Sequence, residues 1–405
     1  MPRKPSPTPA SASRAEPRAV LRQDQVEAWR LLQQHLLEPA SRRSLFRVVS
    51  DNVAIHAQLA SAAELQLRAR VAGIHADVVR DAVADRRLVK TWAMRGTLHL
   101  VTAGDLPLLV AALSARIRYD RASWLRYFGV TKREMEMLFV ELPKVLNGEG
   151  VTREALADEM GGRVNARFAE HLRSGWGTLL KQAAFQGLLC FGPSQGQRVT
   201  FVRPDLWIDD WKPSELSPDE ALAEMARRYL HRYGPAPRAE FGRWWGTDPS
   251  HARRIFTSIE DELAQVDVDG QAMLALARDV RRIAATEPLG GAARPHVRLL
   301  PNFDPYVLFF TPRDRLVAAR HRDRVFRVSA WISPVVLVNG RVAGVWEPRR
   351  RKDRLELTIE AFDRFAPAVK RAVEEEVEEI GDFSGLTATA AFGPVRSKTA
   401  FPEIS

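Results

Sequence analysis

The sequence predicts an α+β chain of small helical units that each close on a short strand pair, followed by a strand-rich end. Three observations carry this. Apolar residues recur at helical spacing through the first two-thirds of the chain. Short pairs of Val-, Thr- and aromatic-rich runs interrupt them three times, roughly 80–110 residues apart. Beyond residue 296 the helical pattern gives way to strand-like runs, one pair of them joined by Asn339-Gly340.

The first twenty residues hold five prolines, and most of the rest are Ser, Thr, Ala or charged, so residues 1–20 are expected to be a disordered basic tail. They lack the apolar core of a secretory signal. From Leu21 to Leu37, Val26, Trp29, Leu32 and Leu36 form one apolar helix face. HAQLASAAELQLRARV continues the pattern with Leu59, Ala63, Leu67 and Val71, and a shorter helix is expected between Ile74 and Asp85. RLVKTWAMRGTLHLVT, with Gly96 at its centre, reads as paired strands. Helices followed by a small strand pair is the order of a winged helix, here over residues 21–130.

The order recurs over 131–212. Thr131 caps KREMEMLFVELPKVL, which Pro143 is expected to kink, and Thr152 caps the next helix. A helical stretch through LLKQAAFQGLL leads into CFGPSQGQRVTFVRP, read as strand, turn and strand. The third copy, 213–295, opens on Ser217, Pro218 and Glu220, a capping box with proline at the first helical position. Asp269-Gly270 marks its hairpin. In 296–405, HVRLLPNFDPYVLFF, RVFRVSAWISPVVLVNGRVAGVW and LELTIEAF read as strands, with FAPAVKRAVEEEVEEIGDF as an acidic-faced helix lying on the sheet.

Composition excludes several function classes. The only cysteine, Cys190, lies in the apolar run GLLCFG, which rules out a disulfide scaffold and points to a core residue in a reducing, cytoplasmic compartment. No run of 18 apolar residues offers a membrane span. The histidines are scattered without metal-ligand spacing, and neither GxGxxG nor GxxxxGK[ST] occurs, so neither metal nor cofactor is expected. A net charge of +10 suits a polyanionic partner.

IHAQLASAAELQLRAR, WAMRGTLHLVTAGDL, LLPNFDPYVL and VVLVNGRVAGVW, taken in that order, resemble the winged-helix DNA glycosylases of the AlkZ and YcaQ type. The resemblance runs from about Leu21 to Phe383. It implies three tandem winged-helix domains and a β-rich C-terminal portion around a concave DNA-binding channel. It also implies a monofunctional, monomeric enzyme associated with the nucleoid that hydrolyses the N-glycosidic bond of alkylated purines in duplex DNA, N7-alkylguanine and bulky adducts or interstrand crosslinks among them.

In that family the chemistry lies in a Gln-x-Gln or Gln-x-Asp motif of the first domain. The matching segment is His56-Ala57-Gln58: Gln58 falls on the second position, and His56 departs from the first in the manner of a His-x-Gln branch. An alkylated purine is already cationic and leaves without strong acid help, so the enzyme has to hold the lesion, stabilise an oxocarbenium-like sugar and orient water. A neutral imidazole at His56 and the carboxamide of Gln58 suit the last task. In a regular helix the two would diverge, so the motif is expected at a helix start or in an extended turn, with Asn52 as a cap.

Arg95, Thr97 and His99 alternate and share one face of a strand, as expected of a phosphate and sugar edge. Lys181 and Gln182 are expected on a recognition helix, and Arg322, Arg324, Arg350 and Arg351 in two arginine clusters that contact phosphates. Arg118, Arg121, Lys132 and Arg133 form a smaller basic patch, while Asn302 and Asp304 read as loop-stabilising residues. Tandem winged helices also suit a non-catalytic DNA-binding protein or regulator, which is the competing expectation.

Overall fold

The computed structural model describes residues 19–115, 119–173, 177–289 and 295–396. The expected tail residues 1–18, together with Arg118, lie outside them.

Among the described residues there are four sheets, three of them three-stranded. In the first, strands Leu88–Ala93 and Thr97–Thr102 form the hairpin read from the sequence, and the two-residue strand Ile55–His56 pairs with the second of them. Helices Leu45–Asp51, Ala60–Arg68 and Ala76–Ala84 accompany it. In the second, Thr200–Val202 lies between Val151–Thr152 and Cys190–Phe191. Its helices start where the caps demand: Thr131 Oγ1 accepts from the Glu134 N–H, and Thr152 Oγ1 from the Ala155 N–H. Pro143 sits within the continuous helix Lys132–Val145.

The third sheet holds the Asp269-Gly270 hairpin, Leu263–Val268 with Gln271–Leu276. The capping box of Ser217 and Glu220 opens helix Pro218–Tyr233 as read. This sheet also corrects the reading of the N-terminus. Ala19 and Val20 belong to no tail: strand Ala19–Leu21 runs parallel to Leu263–Val268, Ala19 opposite Val266. Helix Gln23–Gln33 follows it, and Leu21, Val26 and Trp29 share a core with Val266, Val268 and Ile283.

The C-terminal sheet has five strands, Val297–Leu300, Val335–Val338, Arg341–Arg351, Arg354–Ala361 and Thr387–Phe392, the last joined in parallel. Helix Pro367–Ser384 lies against it as expected, and Val373, Val377 and Ile380 are fully covered. Two runs read as strands are not. Asp304 accepts from the Tyr306 N–H and, with Pro305 at the first position, starts helix Pro305–Phe309. RVFRVSAW breaks into short helical turns, with Ser329 and Ala330 at φ 57° and 58°.

The first hairpin is wedged between its neighbours. Trp92 packs edge-on to Phe191, centroids 4.6 Å apart, and a Cβ on Gly177 would stand 2.5 Å from its ring, at a backbone φ of +56°. On the other flank, the buried Arg68 guanidinium meets Glu376 of the C-terminal helix at 2.8 Å. The hairpin's turn and the strand edge bearing His56 are thereby held in fixed places.

Candidate active site

His56 stands in extended backbone, one of the two settings the i,i+2 argument allowed, and the helix expected from His56 starts only at Ala60; Asn52 is no N-cap. It ends helix Leu45–Asp51, is fully buried, and its Nδ2 donates to the Val48 carbonyl. The antiparallel register sets His56 directly opposite His99, and the Ala57 N–H donates to the Leu98 carbonyl at 2.7 Å. That bond makes 57–98 the hydrogen-bonded pair and 56–99 the closer, non-hydrogen-bonded pair. The imidazoles meet edge to face, centroids 5.4 Å apart. Gln66 Nε2 donates to the His56 carbonyl at 2.9 Å and fixes the strand end to the next helix.

The other side of the His56 ring is covered by Phe303, 5.0 Å away and tilted by 31°. Phe303 has φ 58°, and both its neighbours are locked. Asn302 Nδ2 donates to the Ile332 carbonyl, and the Asp304 carboxylate takes two bonds from Arg70. Both have the loop-stabilising roles read for them.

His56 opens on a cavity of about 770 Å³ whose wall also includes Arg95, Thr97, Phe303, Phe309, Glu240, Arg243 and Arg313. Burial, then His99 and the Arg95 charge, holds the His56 imidazole well below its ordinary pKa. Burial likewise pushes His99 down to about 4, although its Nδ1 is bonded to the Thr97 carbonyl. Both rings are therefore neutral at pH 7. Arg95 reaches across the cavity, its guanidinium 4.6 Å from the Phe309 ring centroid and 3.5 Å from the Trp244 carbonyl. Glu240, paired with Arg243, is the one carboxylate on this wall among the described residues.

The expected site residues divide sharply. His56, Arg95 and Thr97 share the cavity wall. Gln58 is exposed at the bend before helix Ala60–Arg68 and does not line the cavity, while Ala57 between it and His56 is buried in a core with Ile55. His99 is only 3% exposed, so it is no phosphate contact but a partner of His56. Gln182 is buried and Lys181 half-buried beside Gly96, because helix Thr178–Phe185 packs on the first hairpin instead of presenting a free recognition face. Arg324 is spent on Glu360 at 3.1 Å and on the Val395 carbonyl, and Arg322 on Asp314. Arg350 and Arg351 remain exposed at the tip of the Arg341–Arg351 and Arg354–Ala361 hairpin.

Phe303, Glu240, Arg243 and Arg313 were not singled out from sequence as site residues. Asn302 and Asp304 flank Phe303 and were the available signal: two buried, backbone-binding side chains around an aromatic fix its direction. Cys190 is buried and its thiol is pushed up to about 12, so it is no nucleophile. Among the described residues no group of three or more His, Cys, Asp or Glu side chains is placed to hold a metal, and no helix is long and apolar enough to cross a membrane.

The family model for AlkZ-like DNA glycosylases matches residues 49–383. The chain is 37% identical over 371 residues to the interstrand DNA cross-link repair glycosylase of Streptomyces sahachiroi, covering 90% of this chain and 96% of that one. Its structure is similar to that of Streptomyces sahachiroi DNA glycosylase AlkZ, with a TM-score of 0.81 and 35% identity over 92% of this chain and 100% of the other.

Proposed function

Because the chain belongs to the AlkZ-like family of DNA glycosylases, we propose that it releases N7-alkylguanine and related alkylated purines from duplex DNA, bulky adducts and crosslinked bases included. Membership decides the enzyme against the non-catalytic regulator. The finer reading rests above all on His56: a neutral imidazole in the wall of a cavity of about 770 Å³, roomy enough for a substituted base.

His56 acts as the base. Water held at its free ring nitrogen gives up a proton as its oxygen attacks C1′, and the glycosidic electron pair leaves with the base, cancelling the alkyl cation. Gln58, exposed at the bend two residues on, holds the water or the sugar from the solvent side. Arg95 steers the flanking phosphate. No lysine lines the described cavity, so the reading contains no Schiff-base step.

Each three-stranded sheet with its helices is read as a winged helix, the third completed by residues 19–33 from the N-terminal end. Arg350 and Arg351 on their hairpin hold the duplex along the concave channel between these domains and the C-terminal sheet. The related Streptomyces protein's name supports crosslinks as substrates.

The test is base release from duplexes carrying N7-methylguanine or a bulky N7 adduct. Wild-type protein should release at least one, and His56→Ala and Gln58→Ala should each lose rate while retaining DNA binding. No release from either duplex by folded protein would overturn the substrate assignment.

A further inference from the structure

We infer that His99 is the positioning residue for His56: its free ring nitrogen accepts the His56 Nδ1–H and keeps the opposite nitrogen of His56 turned, unprotonated, toward the reacting water. The inference rests on His56 being the base.

Three observations carry it. First, the two residues are cross-strand partners of the close, non-hydrogen-bonded class, so the backbone itself brings the rings together at 5.4 Å. Second, the tautomer of His99 is set. Its Nδ1 lies 2.9 Å from the Thr97 carbonyl, which can only accept, so Nδ1 carries the proton and Nε2 keeps a lone pair. Third, His56 Nδ1 is buried with no hydrogen-bond partner. Phe303, on its other side, offers only carbon. An orphaned ring nitrogen beside a ring whose tautomer is fixed as an acceptor is completed by a small rotation of either imidazole.

The chain then reads Thr97 carbonyl, His99, His56, water. When water attacks, its proton passes to His56 Nε2, its oxygen bonds to C1′, and the C1′–N9 pair leaves with the purine. His56 then carries two protons, and its Nδ1–H bond to His99 stabilises that cation against the Arg95 charge. This is the part a carboxylate plays behind the histidine of a hydrolase triad, performed by a neutral group in a cavity that also presents Arg30, Arg243, Arg313 and Glu240. Among the described residues the competing acceptors near His56 include Thr97 Oγ1 on the strand and Oε1 of Gln66, whose amide holds the His56 carbonyl, both also buried and unpartnered.

The experiment has two arms. Nitrogen-15 NMR of histidine-labelled wild-type protein should show both His56 and His99 protonated at Nδ1 at pH 7. A His56 protonated at Nε2 would overturn the inference without any variant. In single-turnover base release from an N7-methylguanine duplex, His99→Phe keeps the ring shape but removes the acceptor. It should slow release by about 10²-fold at unchanged DNA affinity and move the acid limb of the pH profile to lower pH, since His56 becomes the weaker base. His99→Gln, which both donates to Thr97 and accepts from His56, should stay within a few-fold of wild type. A lowered rate with an unmoved acid limb would mean a merely structural role, and the same shift from Thr97→Val but not from His99→Phe would assign the acceptor to Thr97. Either result overturns the inference. Full rate in His56→Ala would instead remove the base assignment beneath it.

Discussion

Arg70 and Asp304 meet through two parallel hydrogen bonds of 2.7 and 2.8 Å, and neither side chain is exposed to solvent. Arg70 also donates to the Gln66 carbonyl, and Gln66 in turn holds the carbonyl of His56. Asp304 adjoins Phe303, which covers the His56 ring. One ion pair thus ties the strand that bears His56 to the loop that packs on it, across 234 residues of sequence.

Removing one partner strands a charge in the core. Arg70→Met or Asp304→Leu should each cost about 3–5 kcal/mol of stability, read from denaturant midpoints at constant slope. The double variant should cost less than the sum of the two, because it leaves no unpaired charge. Additive losses would show that the pair is not the unit that matters.

Phe303 should matter more to chemistry than to binding. Phe303→Leu keeps apolar volume but removes the flat ring against His56, so water reaches the imidazole. Base release should fall about tenfold with DNA affinity unchanged, in keeping with the cost of a mispositioned group. The acid limb should also move up toward the ordinary imidazole range as the burial that depresses His56 is relieved. An unchanged profile would separate Phe303 from His56.

Helices and hairpins were legible because their signals are local. Ser217 with Glu220, Asp269-Gly270 and Asn339-Gly340 each fix a backbone bond within a few residues. The strand Ala19–Leu21 was not legible, since its partner Leu263–Val268 lies more than two hundred residues away and only its packing selects it. The site divides the same way. The i,i+2 spacing of His56 and Gln58 left a helix start and an extended turn both open, and only pairing with His99 decides for extended backbone. The roles of Arg322 and Arg324 did not follow, because Asp314 and Glu360 neutralise them only once the chain has folded. A charge run in sequence carries no record of its partners.

The two buried imidazoles give the pH dependence a definite sign. A base held well below its ordinary value stays unprotonated on acidification, so release should remain flat from pH 8 to below the usual imidazole range near 6.5 and fall only as pH drops through the depressed value of His56. Stability runs differently. The unfolded chain binds protons at both histidines near pH 6.5, which the folded chain refuses until far lower. Stability therefore declines as pH falls below 6.5, and for His99 the loss stops growing below about 4. His99 alone should remove about 3 kcal/mol over that window, and His99→Phe should flatten the decline in thermal melts between pH 7 and 4.

Exposure sorts the arginines into those free to meet a phosphate and those that hold the fold. Arg350 and Arg351 project from a hairpin tip, and Arg350 bonds the Lys352 carbonyl at 3.3 Å, which leaves its charge uncompensated. Arg324 is bonded to Glu360 and to the Val395 carbonyl. Each phosphate contact contributes about −0.9 to the slope of log affinity against log salt. The double variant Arg350→Ala with Arg351→Ala should therefore weaken duplex binding and flatten that slope by one to two such steps, with thermal stability unchanged. Arg324→Ala should do the reverse, leaving the slope intact and lowering stability by about 1 kcal/mol or more, as expected for breaking a half-buried charged hydrogen-bond pair. The two outcomes exchanged would place the DNA on the Arg313–Arg327 face of the C-terminal region instead of at the hairpin tip.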